Sequence, residues 1–195
     1  MNKTVSCQEK EHLPSPIVLT GFRATGKTAV GKRLAHLAGY RFIDTDREIC
    51  KSMGCSIAES VNRYGWQPFR EHERTMLRKL SSWRKTVVAT GGGAILHRDE
   101  WRKLRSNSFV VWLRTDIATT LFRLDRDEKT AEQRPSLGNQ KADQDTAAEI
   151  SALLTEREPL YQAGSNMIID TKDKTPEELA EAVYMQSQEV RVSKC

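Results

Sequence analysis

Residues Gly21-Phe22-Arg23-Ala24-Thr25-Gly26-Lys27-Thr28 fit the pattern G-x-x-x-x-G-K-[ST], and they restrict the architecture of this chain more tightly than any other stretch. The apolar run Ile17-Val18-Leu19 comes just before, flanked by Pro16 and Gly21. Just after, Val30, Leu34 and Leu37 recur at helical spacing until Gly39 ends the pattern. Strand, glycine loop, helix is the context in which this motif binds phosphate. Successive backbone N–H groups must curl around phosphate oxygens at a helix N-terminus, which only a turn poor in side chains permits. Lys27 then reaches the β and γ phosphates, and Thr28 offers its hydroxyl to Mg²⁺, so a nucleoside triphosphate with magnesium is the expected ligand. Arg23, inside the loop, is expected to point to solvent.

The remaining pattern extends this beginning. Short apolar runs over 41–43, 87–89, 109–113 and 167–169 alternate with longer helical stretches. Ser56-Ile57-Ala58-Glu59 has capping-box spacing, and Thr175-Pro176-Glu177-Glu178 puts proline at a first helical position. Such alternation predicts an α/β fold: a three-layer α/β/α sandwich around a parallel sheet of about five strands. The polar stretch over 125–145 contains Pro135 and Gly138 and almost nothing apolar, so it is expected to be a lid or a plain surface loop. A single domain over 16–187 is expected between an N-terminal tail, 1–15, and a C-terminal tail, 188–195.

Composition narrows the class of partner. Of 195 residues 31 are Lys or Arg and 26 Asp or Glu, giving +5 and a pI near 9.1. The excess suits an anionic ligand, but the basic residues are scattered, so no nucleic-acid footprint is expected. Cys7, Cys50, Cys55 and Cys195 form neither a disulfide framework nor a zinc set, and Met1 to Pro16 is polar, so reduced thiols and a cytoplasmic location are expected. The longest apolar run, over 109–113, is a quarter of a membrane span and reads as a buried strand. His36, His72 and His97 lack metal or triad spacing and read as surface or helix-packing residues. A monomer is expected.

The phosphate loop does not name the acceptor, and five further clusters follow it in order. Asp44-Thr45-Asp46 ends the second strand; alternation would put both carboxylates on one side, at the carboxyl end where ligands gather, although a helix N-cap followed by a surface acid also accounts for the pair. Phe69-Arg70-Glu71-His72-Glu73 opens a helix, and Thr90-Gly91-Gly92-Gly93-Ala94 follows the third strand. Arg134-Pro135 lies in the polar stretch, and Arg157-Glu158-Pro159-Leu160-Tyr161 ends a later helix.

This ordered set resembles the shikimate kinase family, within the nucleoside-monophosphate-kinase group, over about 17–183. The resemblance implies a P-loop kinase with a mobile lid that transfers phosphate from ATP to the 3-hydroxyl of shikimate, on the route to aromatic amino acids. It implies that Ala24, Thr25, Gly26, Lys27, Thr28 and Ala29 hold the nucleotide, joined by Arg134 from the lid and Lys174 near the adenine. Asp46 would bind the ring hydroxyls, and Arg70, Arg157 and the Gly92 backbone the substrate carboxylate. Thr28 and Asp44 would serve the magnesium, with Lys27, Asp46 and Arg134 as the catalytic set. Arg126 is a candidate second lid arginine.

The chemistry agrees with those roles. The planar fork of arginine matches a carboxylate bidentately, and glycine lets backbone approach where a Cβ would intrude. Glu73, one turn beyond Arg70, can pair with it and fix its rotamer. Arg23-Ala24 and Trp66 with Pro68 depart from the family pattern, and these changes are expected to touch loop flexibility and nucleotide affinity. Two other readings stand beside this one: the same fold with gluconate or a nucleotide as acceptor, and a non-catalytic nucleotide-dependent binding module.

Overall fold

The computed structural model describes residues 13–126 and 147–192. Most of the expected lid, 125–145, including Arg134, lies outside the described residues, as do 1–12 and 193–195. In chain order the elements are β1 (Ile17–Thr20), α1 (Lys27–Ala38), β2 (Arg41–Asp44), α2 (Thr45–Met53), α3 (Ile57–Tyr64), α4 (Trp66–Leu80) and β3 (Thr86–Ala89). A 3₁₀ turn (Ala94–Leu96) follows, then α5 (Arg98–Ser106), β4 (Phe109–Arg114), α6 (Ile117–Asp125), α7 (Ala147–Ala163), β5 (Met167–Asp170) and α8 (Pro176–Val192).

The five strands form one parallel sheet in the order β2-β3-β1-β4-β5. Side-chain alternation along each strand divides its apolar residues between two faces. Ile17, Leu19, Val87, Val111 and Leu113 pack with Val30 and Leu34 of α1 and Leu179 and Val183 of α8. Val18, Val88, Val110 and Trp112 face the other way, onto Leu77 and Leu80 of α4, Trp101 and Leu104 of α5 and Tyr161 of α7. Two cores on opposite faces of one sheet make the expected three layers. Each fully buried Leu or Ile among them contributes about 1.5–3 kcal/mol.

The local start signals act as the spacing suggests. Ser56 and Glu59 make a reciprocal capping box at α3. Thr175 and Glu178 do the same at α8, the Thr175 N–H donating to Glu178 Oε2 at 2.7 Å and the Glu178 N–H to Thr175 Oγ1 at 3.2 Å. At the C-terminus α8 continues to Val192, so 188–192, expected in a tail, are helical. At the other end Leu13 is buried, and its carbonyl accepts from the Tyr40 hydroxyl at 2.8 Å.

Candidate active site

The loop after β1, the end of β2 and the loop after β3 lie at the carboxyl ends of three adjacent strands, and the predicted residues meet there. The phosphate loop is built from backbone that most residues avoid. Gly26 has φ 87° and Ala24 φ 59°, left-handed values that turn amide groups inward to form an anion nest. The N-terminus of α1 has no side-chain cap and no acidic residue in its first turn, which leaves its N–H groups and positive dipole end for a ligand. Ala29 is exposed in that turn. Thr25 is buried and donates its hydroxyl to Phe22 O at 3.0 Å, so it shapes the loop. Lys27 Nζ donates to Gly21 O at 2.9 Å and Phe22 O at 2.5 Å.

Thr28 Oγ1 donates to Asp44 Oδ2 at 2.8 Å, which places a hydroxyl and a carboxylate together at the mouth of the loop. Such hard oxygen donors suit Mg²⁺, which is commonly held by one or two carboxylates together with substrate phosphates. Among the described residues no cluster of three or more His, Cys, Asp and Glu could hold a metal by itself, so phosphate oxygens would complete this site.

Strand alternation does not place Asp46. β2 stops at Asp44, which becomes the N-cap of α2 and accepts from the Arg47 N–H at 3.4 Å; Asp46 stands in the first turn of that helix. It still reaches the site, because the helix begins where the strand ends. Its Oδ1 is buried without a hydrogen-bond partner. Burial foremost, then the Asp44 and Glu73 carboxylates, push its pKa up to about 7, against the opposing pull of Lys27 and Arg70.

The turn after β3 brings Asp46, Arg70 and Arg157 together. A Cβ on Gly91 would lie 2.5 Å from Asp46 Oδ1, and one on Gly93 would run into the Arg70 guanidinium, so these two glycines admit both side chains. At Gly92 a Cβ would meet Gly21 O at 3.4 Å, an ordinary contact, so the steric need within the protein falls on its neighbours. The Gly92 carbonyl accepts from Tyr161 Oη at 2.5 Å and from Arg157 Nη1 at 3.5 Å. Burial pushes the Tyr161 hydroxyl up to about 12, so it stays protonated as that donor. Arg157 is itself buried, with an unpartnered Nε.

Arg70 is held from several sides. Its Nη1 pairs with Glu73 Oε2, and its guanidinium lies 4.8 Å from the Trp66 ring and 5.6 Å from the Phe69 ring. Trp66, one of the departures from the family pattern, therefore packs directly on Arg70. Glu73 is buried and also meets His97 Nε2 at 3.1 Å.

Arg123, on α6, was not singled out by any motif. It donates to Ala24 O at 3.3 Å and to Thr171 O at 3.0 Å, tying the phosphate loop to the loop after β5. Lys174 is exposed on that second loop. Arg126 stacks over Phe122 at 4.2 Å. No described helix is long and apolar enough to cross a membrane.

Known proteins resemble this chain in sequence and in fold. The sequence model of the family described as shikimate kinase matches residues 23–188. Shikimate kinase 2 of Yersinia enterocolitica is 40% identical over 167 residues, covering 86% of this chain and 92% of its own. The structure of shikimate kinase from Acinetobacter baumannii in complex with shikimate superposes with a TM-score of 0.78 at 33% identity, covering 87% of this chain and 90% of that one. Shikimate kinase from Bacteroides thetaiotaomicron gives a TM-score of 0.75 at 28% identity, covering 89% and 96%.

Proposed function

The chain belongs to the shikimate kinase family, and we propose that it transfers the γ-phosphoryl group of ATP to the 3-hydroxyl of shikimate, a step toward the aromatic amino acids. The observation that carries the reading is the gathering of Asp46, Arg70 and Arg157 around the Gly91-Gly92-Gly93 turn, beside a phosphate loop. Two arginines and a backbone turn suit one carboxylate, and a carboxylate with an unpartnered oxygen suits a hydroxyl.

Phosphoryl transfer has a loose transition state, so catalysis is mostly alignment and neutralisation of charge. The nest of 21–26 and the α1 N-terminus hold the phosphates, and Lys27 exchanges its loop carbonyls for phosphate oxygens. Mg²⁺, held by Thr28 and Asp44, would neutralise phosphate charge when bound. Arg70 and Arg157 orient the ring through its carboxylate. Asp46 aligns the attacking hydroxyl and takes its proton late, a task suited to a carboxyl whose pKa stands near 7.

The test is ADP release coupled to a reporter, with shikimate, gluconate and a nucleoside monophosphate as acceptors. Release with shikimate alone is expected. Equal or greater release with gluconate or the nucleotide would overturn the acceptor assignment.

A further inference from the structure

We propose that His97 is a positioning residue for the acceptor clamp: it sets the orientation of Arg70 through Glu73, and Arg74 determines which imidazole nitrogen carries the proton that does so. The inference rests on the reading of Arg70 as a carboxylate clamp.

The contacts form one continuous line. Arg74 Nη1 pairs with Glu71 Oε1 at 2.5 Å, which steadies the guanidinium at the helix surface. Arg74 Nε lies 3.3 Å from His97 Nδ1. A guanidinium Nε–H can only donate, so Nδ1 must accept, and the imidazole proton belongs on Nε2. Nε2 faces Glu73 Oε2 at 3.1 Å, the same oxygen that receives Arg70 Nη1. His97 and Glu73 are 6% and 2% exposed, so the bond between them is shielded from bulk water.

Glu73 has one oxygen to share between a cation and a neutral donor. With His97 in place that carboxylate is fixed from two directions, and Arg70 has one geometry in which to meet it. Without the imidazole, Glu73 and Arg70 can rotate as a pair. The backbone of His97 is independently anchored, its carbonyl accepting from the Trp101 N–H at 2.8 Å at the head of α5. The 3₁₀ turn that ends at His97 starts beside Gly93. The Gly92 backbone and the Arg70 guanidinium, the two sides of the clamp, are thus referenced to one short segment.

The test uses His97→Leu, His97→Gln and Arg74→Met in the full-length protein, with an NMR measurement on the imidazole. Leucine fills the volume without a donor, and glutamine restores an N–H toward Glu73. His97→Leu is expected to raise KM for shikimate about tenfold, the order for losing one hydrogen bond to a charged group, with KM for ATP and kcat within about threefold. His97→Gln is expected to recover most of that loss. Long-range proton–nitrogen spectra of the wild type should show the proton on Nε2 and a bare Nδ1, and Arg74→Met should bring up the second tautomer. Wild-type shikimate KM in His97→Leu, or a proton on Nδ1 in the wild type, would overturn the proposal. If His97→Leu does not fold, the tautomer measurement and Arg74→Met still decide it. A wild type with no turnover on shikimate would instead overturn the functional reading, and this proposal with it.

Discussion

A Cβ on Gly91 would sit 2.5 Å from Asp46 Oδ1, so the turn after β3 and the carboxylate at the head of α2 fill contiguous space with no room for a methyl group. Gly91→Ala must therefore displace Asp46 or the turn. A displacement near 1 Å at the reacting hydroxyl is expected to cost about 100-fold in kcat, with a stability loss of about 1–3 kcal/mol. Gly92→Ala is the control, since its Cβ would make only ordinary contacts. Its melting temperature should match that of the wild type, whereas its shikimate affinity should fall. Thermal melts and steady-state kinetics on the two variants check both statements.

Lys27→Ala should abolish turnover, by about 100- to 1000-fold or more, because the charge facing the transferring phosphoryl group disappears while the loop backbone persists. The fold should survive, since Thr25 still bonds Phe22 O and Gly26 still starts α1. Circular dichroism with ADP-release kinetics is the check. A variant with normal turnover would remove the kinase reading.

Arg70→Ala and Arg157→Ala should each weaken shikimate binding by about 2–5 kcal/mol, the range for cutting one partner from a buried charged pair. ATP affinity should stay within about twofold. Calorimetric titration of each ligand separates the two. Loss of ATP binding in either variant would mean that these arginines serve the nucleotide.

Asp46 couples activity to stability. Its folded pKa, near 7, stands above the unfolded value of 3.8, so between roughly pH 4 and 7 the folded protein holds a proton that the unfolded chain releases. Its contribution is fully present below about pH 4 and is lost as the pH rises through 7. Asp46→Asn should thus equal the wild type in stability near pH 4 and exceed it by roughly 2–4 kcal/mol at pH 8, while turnover is lost. Denaturant midpoints of both proteins at pH 4 and pH 8 test this. A variant no more stable at pH 8 would show that the burial of this carboxyl is without energetic consequence.

The three central strands were legible because burial on both faces writes itself as short unbroken apolar runs, as at Val87-Val88 and Val110-Val111, bounded by turn residues. The phosphate loop was legible because a backbone nest needs particular residue types at fixed spacing. Asp46 was placed near the site for a wrong local reason, since alternation cannot say that a strand stops at Asp44 and that Thr45 already starts a helix. Arg123 acts on groups distant in sequence, and nothing in its own neighbourhood points across those gaps; Trp66 stands one helical turn before Arg70, so their contact follows from i,i+4 spacing once both lie on one helix. His97, read with His36 and His72 as a surface or helix-packing residue, is buried, and its bond to Glu73, 24 positions away, had no periodic signature.

Lys27 rests in a cup of its own loop's oxygens, the Gly21 and Phe22 carbonyls and the Thr25 hydroxyl. The loop thereby serves as a private hydration shell for the ammonium. When a triphosphate arrives, few waters need be stripped from this cation, and one set of oxygens is exchanged for another. The grip of the lysine on nucleotide is accordingly a difference between two oxygen shells, one neutral and one anionic.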